Sequence, residues 1–242
     1  MDTKDYFDGE VAARYDVTHA AMFDEAVVES AVDVLAGLAG PGPALELGIG
    51  TGRIGLPLAA RGVEVHGVEL SEAMVRELRK KPGGGAIPVT IGDFASVHLQ
   101  ERYALVYLVF NTIMNLTTQA AQVDCFVRAA SHLLPGGRFV IEVMVPDLRR
   151  LPPGDRVRPF AVSDDYLGFD EYHTASQRLV SHHYGFQGRE HTLRSIPFRY
   201  VWPSELDLMA RIARLSLENR WASWRRDPFT DDSASHVSVW RL

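Results

Sequence analysis

The sequence predicts an α/β fold: a mostly parallel sheet covered by helices on both faces, with an antiparallel β insertion late in the chain. Three observations carry this. Short apolar runs without polar alternation recur between segments of helical periodicity, as strands buried on both faces require. The first such run, Ala44–Leu47, leads directly into Gly48-Ile49-Gly50-Thr51-Gly52, so bare backbone is offered at a strand end. After Pro146 helical periodicity stops and β-leaning runs follow one another.

The first 40 or so residues read as helical. A polar, aromatic piece with Tyr6, Phe7 and Tyr15 precedes a one-sided stripe of Met22, Ala26, Val27, Ser30, Ala31, Val34, Leu35 and Leu38. Gly40-Pro41-Gly42-Pro43 ends it. Strand Ala44–Leu47 is followed by helix Arg53–Arg61, strand Val63–Val68, and helix Ser71–Lys80 with Ser71 as N-cap. Pro82-Gly83-Gly84-Gly85 is a loop before strand Ile87–Ile91. Tyr103–Phe110 is a strongly apolar strand, Thr117–Leu134 a helix closed by Pro135-Gly136-Gly137, and Arg138–Val145 a further strand. Between Val157 and Val201, β-leaning runs near Glu171–Ala175, Leu179–Phe186 and Leu193–Val201, separated by turn-like Ser176-Gln177 and Gly188-Arg189, predict three or four antiparallel strands. Pro203 opens a last helix, Glu205–Ala213, and strands near Leu215–Trp224 and His236–Leu242 finish the chain.

Length and composition bound the function. At 242 residues, one domain with an elaboration fits better than two equal domains. A net charge of −6 argues against a general nucleic-acid binder, which needs a basic face. The single cysteine, Cys125, cannot form an internal disulfide and reads as a small core residue. The N-terminus lacks a basic-then-apolar signal pattern, and no apolar run reaches about 18 residues, so a soluble cytoplasmic protein away from membranes is expected. No metal-ligand cluster is assigned.

Two cofactors compete for the glycine turn. Gly50-Thr51-Gly52-Arg53-Ile54-Gly55, with Glu69 further on, fits a dinucleotide fingerprint. Glu46, at the end of the preceding strand, is a poor neighbour for two phosphates and a good one for a ligand carrying an ammonium and a sulfonium. S-adenosylmethionine (SAM) carries both.

Glu46-x-Gly48-x-Gly50-x-Gly52 resembles motif I of the class I SAM-dependent methyltransferases. Further pieces follow in the family's order: Val68-Glu69-Leu70-Ser71-Glu72-Ala73-Met74, Gly92-Asp93-Phe94, Phe110-Asn111-Thr112 and Leu134-Pro135-Gly136-Gly137. The resemblance implies a Rossmann-like, seven-stranded, mostly parallel sheet whose antiparallel last strand is inserted between strands 5 and 6, a place that Leu215–Leu242 fits. It implies SAM as cofactor and S-adenosylhomocysteine (SAH) as its product, with contacts from Glu46, Gly48, Ile49, Gly50, Gly52, Glu69, Leu70, Met74, Gly92, Asp93, Phe94, Phe110, Asn111 and Thr112. Glu69 would grip the ribose hydroxyls, Met74 and Phe94 flank the adenine, and Asp93 accept from its amino group; Phe110-Asn111-Thr112 would face the methionine portion.

The polar-aromatic N-terminal segment and the insertion resemble small-molecule members, including amino-sugar N-methyltransferases and glycine N-methyltransferase. In such relatives an N-terminal tyrosine closes over SAM, and Tyr15 in Ala13-Arg14-Tyr15-Asp16 is the match. One methyltransferase domain over 1–242 is expected: a helical lid (1–40), a SAM-binding core (41–146), a β insertion for substrate or dimer contacts (147–201), and a closing helix and strands (202–242). The proline-rich tetrapeptide of the DNA amino-methyltransferases is replaced by Asn111-Thr112-Ile113-Met114.

Methyl transfer from a sulfonium is an in-line displacement that positioning and desolvation largely accelerate. A base is needed only when the acceptor must lose a proton. His173, His182 and His183 are candidates; His182 and His183 point to opposite strand faces, so no catalytic residue is assigned. Arg189, Arg194 and Arg199 fit either an acidic substrate or solvated strand faces. The insertion also offers an edge for a homodimer. The expected activity is methyl transfer to N or O of a small molecule; the alternatives are an NAD-dependent oxidoreductase and a non-catalytic SAM-binding protein.

Overall fold

A computed structural model describes residues 7, 9–188 and 190–242. Tyr6 and Arg189 lie outside the described residues. The N-terminal segment is three short pieces: α1 (Glu10–Thr18), a 3₁₀ turn (Ala20–Phe23) and α2 (Glu25–Ala39). The break falls at Asp24, whose side chain caps α2 by accepting from the Ala26 N–H, so Met22 sits in the 3₁₀ turn while Ala31, Val32, Val34, Leu35 and Ala39 form the buried stripe.

The alternating core follows: β1 (Ala44–Leu47), α3 (Gly55–Ala60), β2 (Val65–Glu69), α4 (Glu72–Arg79), β3 (Val89–Ile91), β4 (Tyr103–Leu108), α5 (Gln119–Ser131) and β5 (Leu133–Met144). Ser71 caps α4, its hydroxyl accepting from the Met74 N–H at 3.2 Å. The helix expected to run to Leu134 stops at Ser131, and Pro135-Gly136-Gly137 form the irregular opening of β5 rather than closing the helix. Pairing with β4 decides this: Tyr103 donates to the His132 carbonyl at 2.8 Å, Leu133 pairs with Tyr103, and the register shifts before Arg138 meets Leu105.

After β5 come β6 (Val157–Val162), β7 (Tyr166–His173), β8 (Arg178–Gln187), β9 (Glu190–Arg199), α6 (Pro203–Ile212), β10 (Ser216–Trp221) and β11 (Ser235–Arg241). The main sheet has the order β10-β11-β5-β4-β1-β2-β3. Only β11 is reversed, antiparallel to both β5 and β10. The other four strands form a separate antiparallel sheet, β6-β7-β8-β9. One apolar cluster packs α2 and α3 on one face of the main sheet, and a second packs α5 and α6 on the other.

β1 lies at the switch in strand order, pairing with β2 on one side and β4 on the other. Loops leaving neighbouring strands here diverge to opposite faces and open a crevice at the carboxyl ends. No helix among the described residues is long and apolar enough to cross a membrane.

Candidate active site

A cavity of about 280 Å³ occupies that crevice. Gly48, Gly50, Glu69, Leu70, Ser71, Met74 and Phe94 form one wall, and Phe110, Asn111, Thr112 and Asn115 a second. Phe7, Tyr15 and His19 from the N-terminal segment, with Ser181, His183, Ile196 and Phe198 from the second sheet, complete it.

The glycine turn works through backbone shape. Gly48, Gly50 and Gly52 have φ of 74°, 55° and 81°, where a Cβ is disfavoured. A Cβ on Gly48 would also stand 2.8 Å from Thr112 Cγ2, across the cavity floor, and one on Gly52 would stand 2.3 Å from Leu78 Cδ1. Gly48 therefore keeps the cavity open, whereas Gly52 lets α4 pack close. The Gly48 and Ile49 amides donate to the Val68 carbonyl at 2.8 and 3.1 Å, tethering the turn to the end of β2.

Glu69 joins that turn to α4. Its Oε2 accepts from the Gly50 N–H at 2.8 Å and its Oε1 from the Ser71 N–H at 2.9 Å. Burial pushes its pKa up, and the amide hydrogen bonds only partly offset this. Each carboxylate oxygen keeps a second acceptor site.

Glu46 has a different role from the one its charge suggested. It is 2% exposed and does not line the cavity. Tyr107 donates to its Oε2 at 3.0 Å, and burial pushes its pKa from 4.5 to about 8 against hydrogen bonds from Tyr107 and the Gly55 amide. Burial favours the protonated form of the carboxyl, and Glu46 sits beneath the turn rather than on the cavity wall. A Cβ on Gly55 would stand 2.7 Å from Glu46 Oε2, which explains the third glycine of the dinucleotide-like pattern by packing.

The end of β4 is held in a strained shape. Phe110 and Asn111 have φ of 56° and 60°, each a conformation that costs a non-glycine residue about 1–3 kcal/mol. Glu142 accepts from the Phe110 N–H at 2.9 Å, and Asn111 Oδ1 accepts from the Met144 N–H at 2.7 Å. These bonds to β5 hold Phe110, Asn111 and Thr112 on the wall.

Ile49, Gly52, Gly92 and Asp93 join Glu46 as predicted contacts that do not line the cavity. Ile49 is buried under the turn against Gly67. Asp93 is exposed, with Oδ1 accepting from the Ala95 N–H at 2.8 Å. Tyr15, Gly48, Gly50, Glu69, Leu70, Met74, Phe94, Phe110, Asn111 and Thr112 do line it.

The N-terminal helix is seated on the turn. Thr51 Oγ1 donates to Asp16 Oδ1 at 2.6 Å, and Lys81 forms an ion pair with Asp16. The Tyr15 ring lies tilted against His19 at 4.4 Å, and His19 meets Phe110 edge-on at 5.7 Å. His19, Asn115, Ser181, Ile196 and Phe198 had no motif to mark them; shared strand faces were the available signal for the last three.

The histidines of the second sheet separate cleanly. His182 turns from the cavity to Ser195 Oγ (2.8 Å) and Glu171 (3.5 Å), stacked on Phe169, and His173 pairs with Glu171 at 3.2 Å. His183 lines the cavity beside Ser181. Arg199 is neither solvated nor on the substrate side: 4% exposed, it reaches Gln122, Gln177 and Glu205, and Arg194 lies 4.0 Å from Glu10.

The Gly48 cradle, which a Cβ would fill, and the half-committed acceptors of Glu69 fit SAM, whose ribose hydroxyls are donors. At the switch point of a sheet in which β11 alone is reversed, such a cavity defines the class of α/β SAM-dependent methyltransferases. Comparison with known proteins agrees. A methyltransferase domain pattern matches residues 44–137. The CcbJ methyltransferase from Streptomyces caelestis superposes with a TM-score of 0.82 at 37% identity, over 92% of this chain and 95% of that one. A SAM-dependent methyltransferase from Clostridium acetobutylicum (TM-score 0.75, 14% identity, 96% and 97% covered) shares the fold. So does the SAM-bound amino pentose methyltransferase CalS10 from Micromonospora echinaspora (0.70, 19%, 94% and 96%). A search of curated proteins finds no match. The chain belongs to the SAM-dependent methyltransferases, and the oxidoreductase and non-catalytic readings are set aside.

Proposed function

We propose that the enzyme methylates an amine nitrogen of a small polar molecule of the amino-sugar kind. The observation that carries this is the continuity of the cavity: the glycine turn and the polar face of the second sheet, Ser181 and His183, share one space of about 280 Å³. The N-terminal segment borders that space through Phe7, Tyr15 and His19. The sugar N-methyltransferase KedS8 from Streptoalloteichus, which shares the fold with a TM-score of 0.68 at 19% identity, supports nitrogen over oxygen.

In this reading Glu69 holds the ribose, Met74 and Phe94 flank the adenine, Asp93 reaches the adenine amino group through its second oxygen, and Asn111 and Thr112 orient the methionine portion. Bound SAM supplies a methyl group on a sulfonium, an already activated leaving group. The chain's contribution is to align the acceptor in line with that methyl and to exclude water. Residues 1–40 serve as a lid, with Tyr15 closing over the donor. The free edge strand β6 exposes Val157, Phe160 and Val162, and a homodimer would form through it; sedimentation velocity reads that directly.

The test is SAH release from SAM with a panel of amino sugars, alongside their hydroxyl-only counterparts. Turnover confined to amines supports the reading. Turnover of hydroxyl acceptors alone moves the transfer to oxygen, and no turnover with either set contradicts the proposed acceptor.

A further inference from the structure

We propose that His183 is the proton acceptor of the transfer and that Tyr166 is the positioning residue that sets its tautomer. The proposal rests on the acceptor lying against the second sheet, as proposed above.

Four titratable side chains line the cavity among the described residues: Tyr15, His19, Glu69 and His183. Glu69 is pinned at the donor wall by two amides. His19 sits just beyond the end of α1, with Nδ1 bonded to the Tyr15 carbonyl at 3.0 Å. His183 lies instead on β8, which is paired on both sides by β7 and β9, so the backbone beneath it is fixed. Its Nδ1 is hydrogen-bonded to the Tyr166 hydroxyl, and Phe160 flanks the ring at 5.5 Å. Nε2 makes no hydrogen bond among the described residues.

The groups facing His183 favour a neutral ring. Burial is the largest influence, and His19, His182 and Arg194, cationic when charged, add to it; all push its pKa down. Tyr166 faces it from β7. Asp170, one pair further along the same face, is hydrogen-bonded to Ser181. A neutral imidazole with Nδ1–H donating to the Tyr166 oxygen leaves Nε2 as the acceptor. The acceptor nitrogen's lone pair forms the N–CH₃ bond, the S–CH₃ bond breaks with its electron pair passing to sulfur, and the proton leaving nitrogen goes to Nε2. The resulting imidazolium keeps its Nδ1–H bond to Tyr166.

With an amino sugar that the wild type methylates, His183→Gln is expected to lower kcat about 100-fold or more at pH 7. SAH affinity by calorimetry should be unchanged, and imidazole should partly rescue His183→Gly. Wild-type kcat in H183Q, or loss of kcat in His19→Gln alone, overturns the assignment. An acceptor-free measurement keeps the two proposals apart. Nitrogen NMR of histidine in the SAH complex should show His183 protonated at Nδ1 and bare at Nε2 at pH 7, with that preference lost in Tyr166→Phe. An Nε2–H tautomer in the wild type overturns the base assignment, even where amines are methylated. If no amino sugar turns over, the acceptor class falls and this tautomer decides His183.

Discussion

The two halves of the cavity are built by different means. The donor half is made of backbone: glycines at positive φ, amides pinned to Glu69, and a strained bend at Phe110-Asn111 held by β5. The acceptor half is made of side chains on a sheet docked from outside the core, and that docking depends on a buried polar network around Arg199. In the proposed function, cofactor recognition would reside in local conformation, and acceptor recognition in which strand faces meet which core surface.

Substitutions can break that contrast, and the largest effect is expected on the docking. Arg199→Ala removes the only cation paired with Glu205 among the described residues (14% side-chain exposure) and a donor to Gln122 and Gln177. A loss of about 3–5 kcal/mol in unfolding free energy is expected by denaturant titration. Gly48→Ala attacks the donor half: the backbone conformation alone costs about 1–3 kcal/mol, and the new Cβ displaces Thr112. Unfolding free energy should fall by about that much by denaturant titration, and SAH affinity should fall as well because the Cβ intrudes on the cavity wall, with the second sheet intact. Glu69→Ala should weaken SAH by about 1–3 kcal/mol, as for a hydrogen-bonded charged group. Unchanged affinity would remove Glu69 from the ribose.

Smaller effects sharpen the picture. Asp16→Ala removes a partly exposed ion pair with Lys81, so only about 0.2–1 kcal/mol of SAH binding is expected to go, read as faster dissociation. Glu46→Gln should leave SAH affinity nearly untouched, because Glu46 does not line the cavity. Its signature lies in stability against pH. Since the folded-state pKa is raised from 4.5 to about 8, the folded chain binds the proton more tightly, and stability falls as pH rises through that window. Glu46→Gln should flatten the decline in Tm between those values; an unaltered slope would contradict a protonated Glu46.

The same contrast explains what was legible in the chain. Ala44–Leu47, the glycine turn and Ser71 at the head of α4 are local signals, and their positions follow from apolar runs, φ requirements and capping. Leu133–Gly137 misled because helix-ending residues also begin β5, and only the long-range pairing of Leu133 with Tyr103 decides between the two. Glu46 was readable as a residue and not as a charge, since its protonation depends on burial beneath Tyr107 and Gly55. Alternation placed Ser181 and His183 on one face and His182 on the other, but which face meets the cavity depends on how the second sheet docks. The αL bend at Phe110-Asn111 carries no glycine to announce it.

The most direct test is calorimetry of SAH against wild type, Glu69→Ala and His183→Gln. One equivalent of SAH should bind the wild type, with affinity weakened in Glu69→Ala and unchanged in His183→Gln. No SAH binding, or equal weakening in both variants, would contradict a cavity whose donor and acceptor halves are separate.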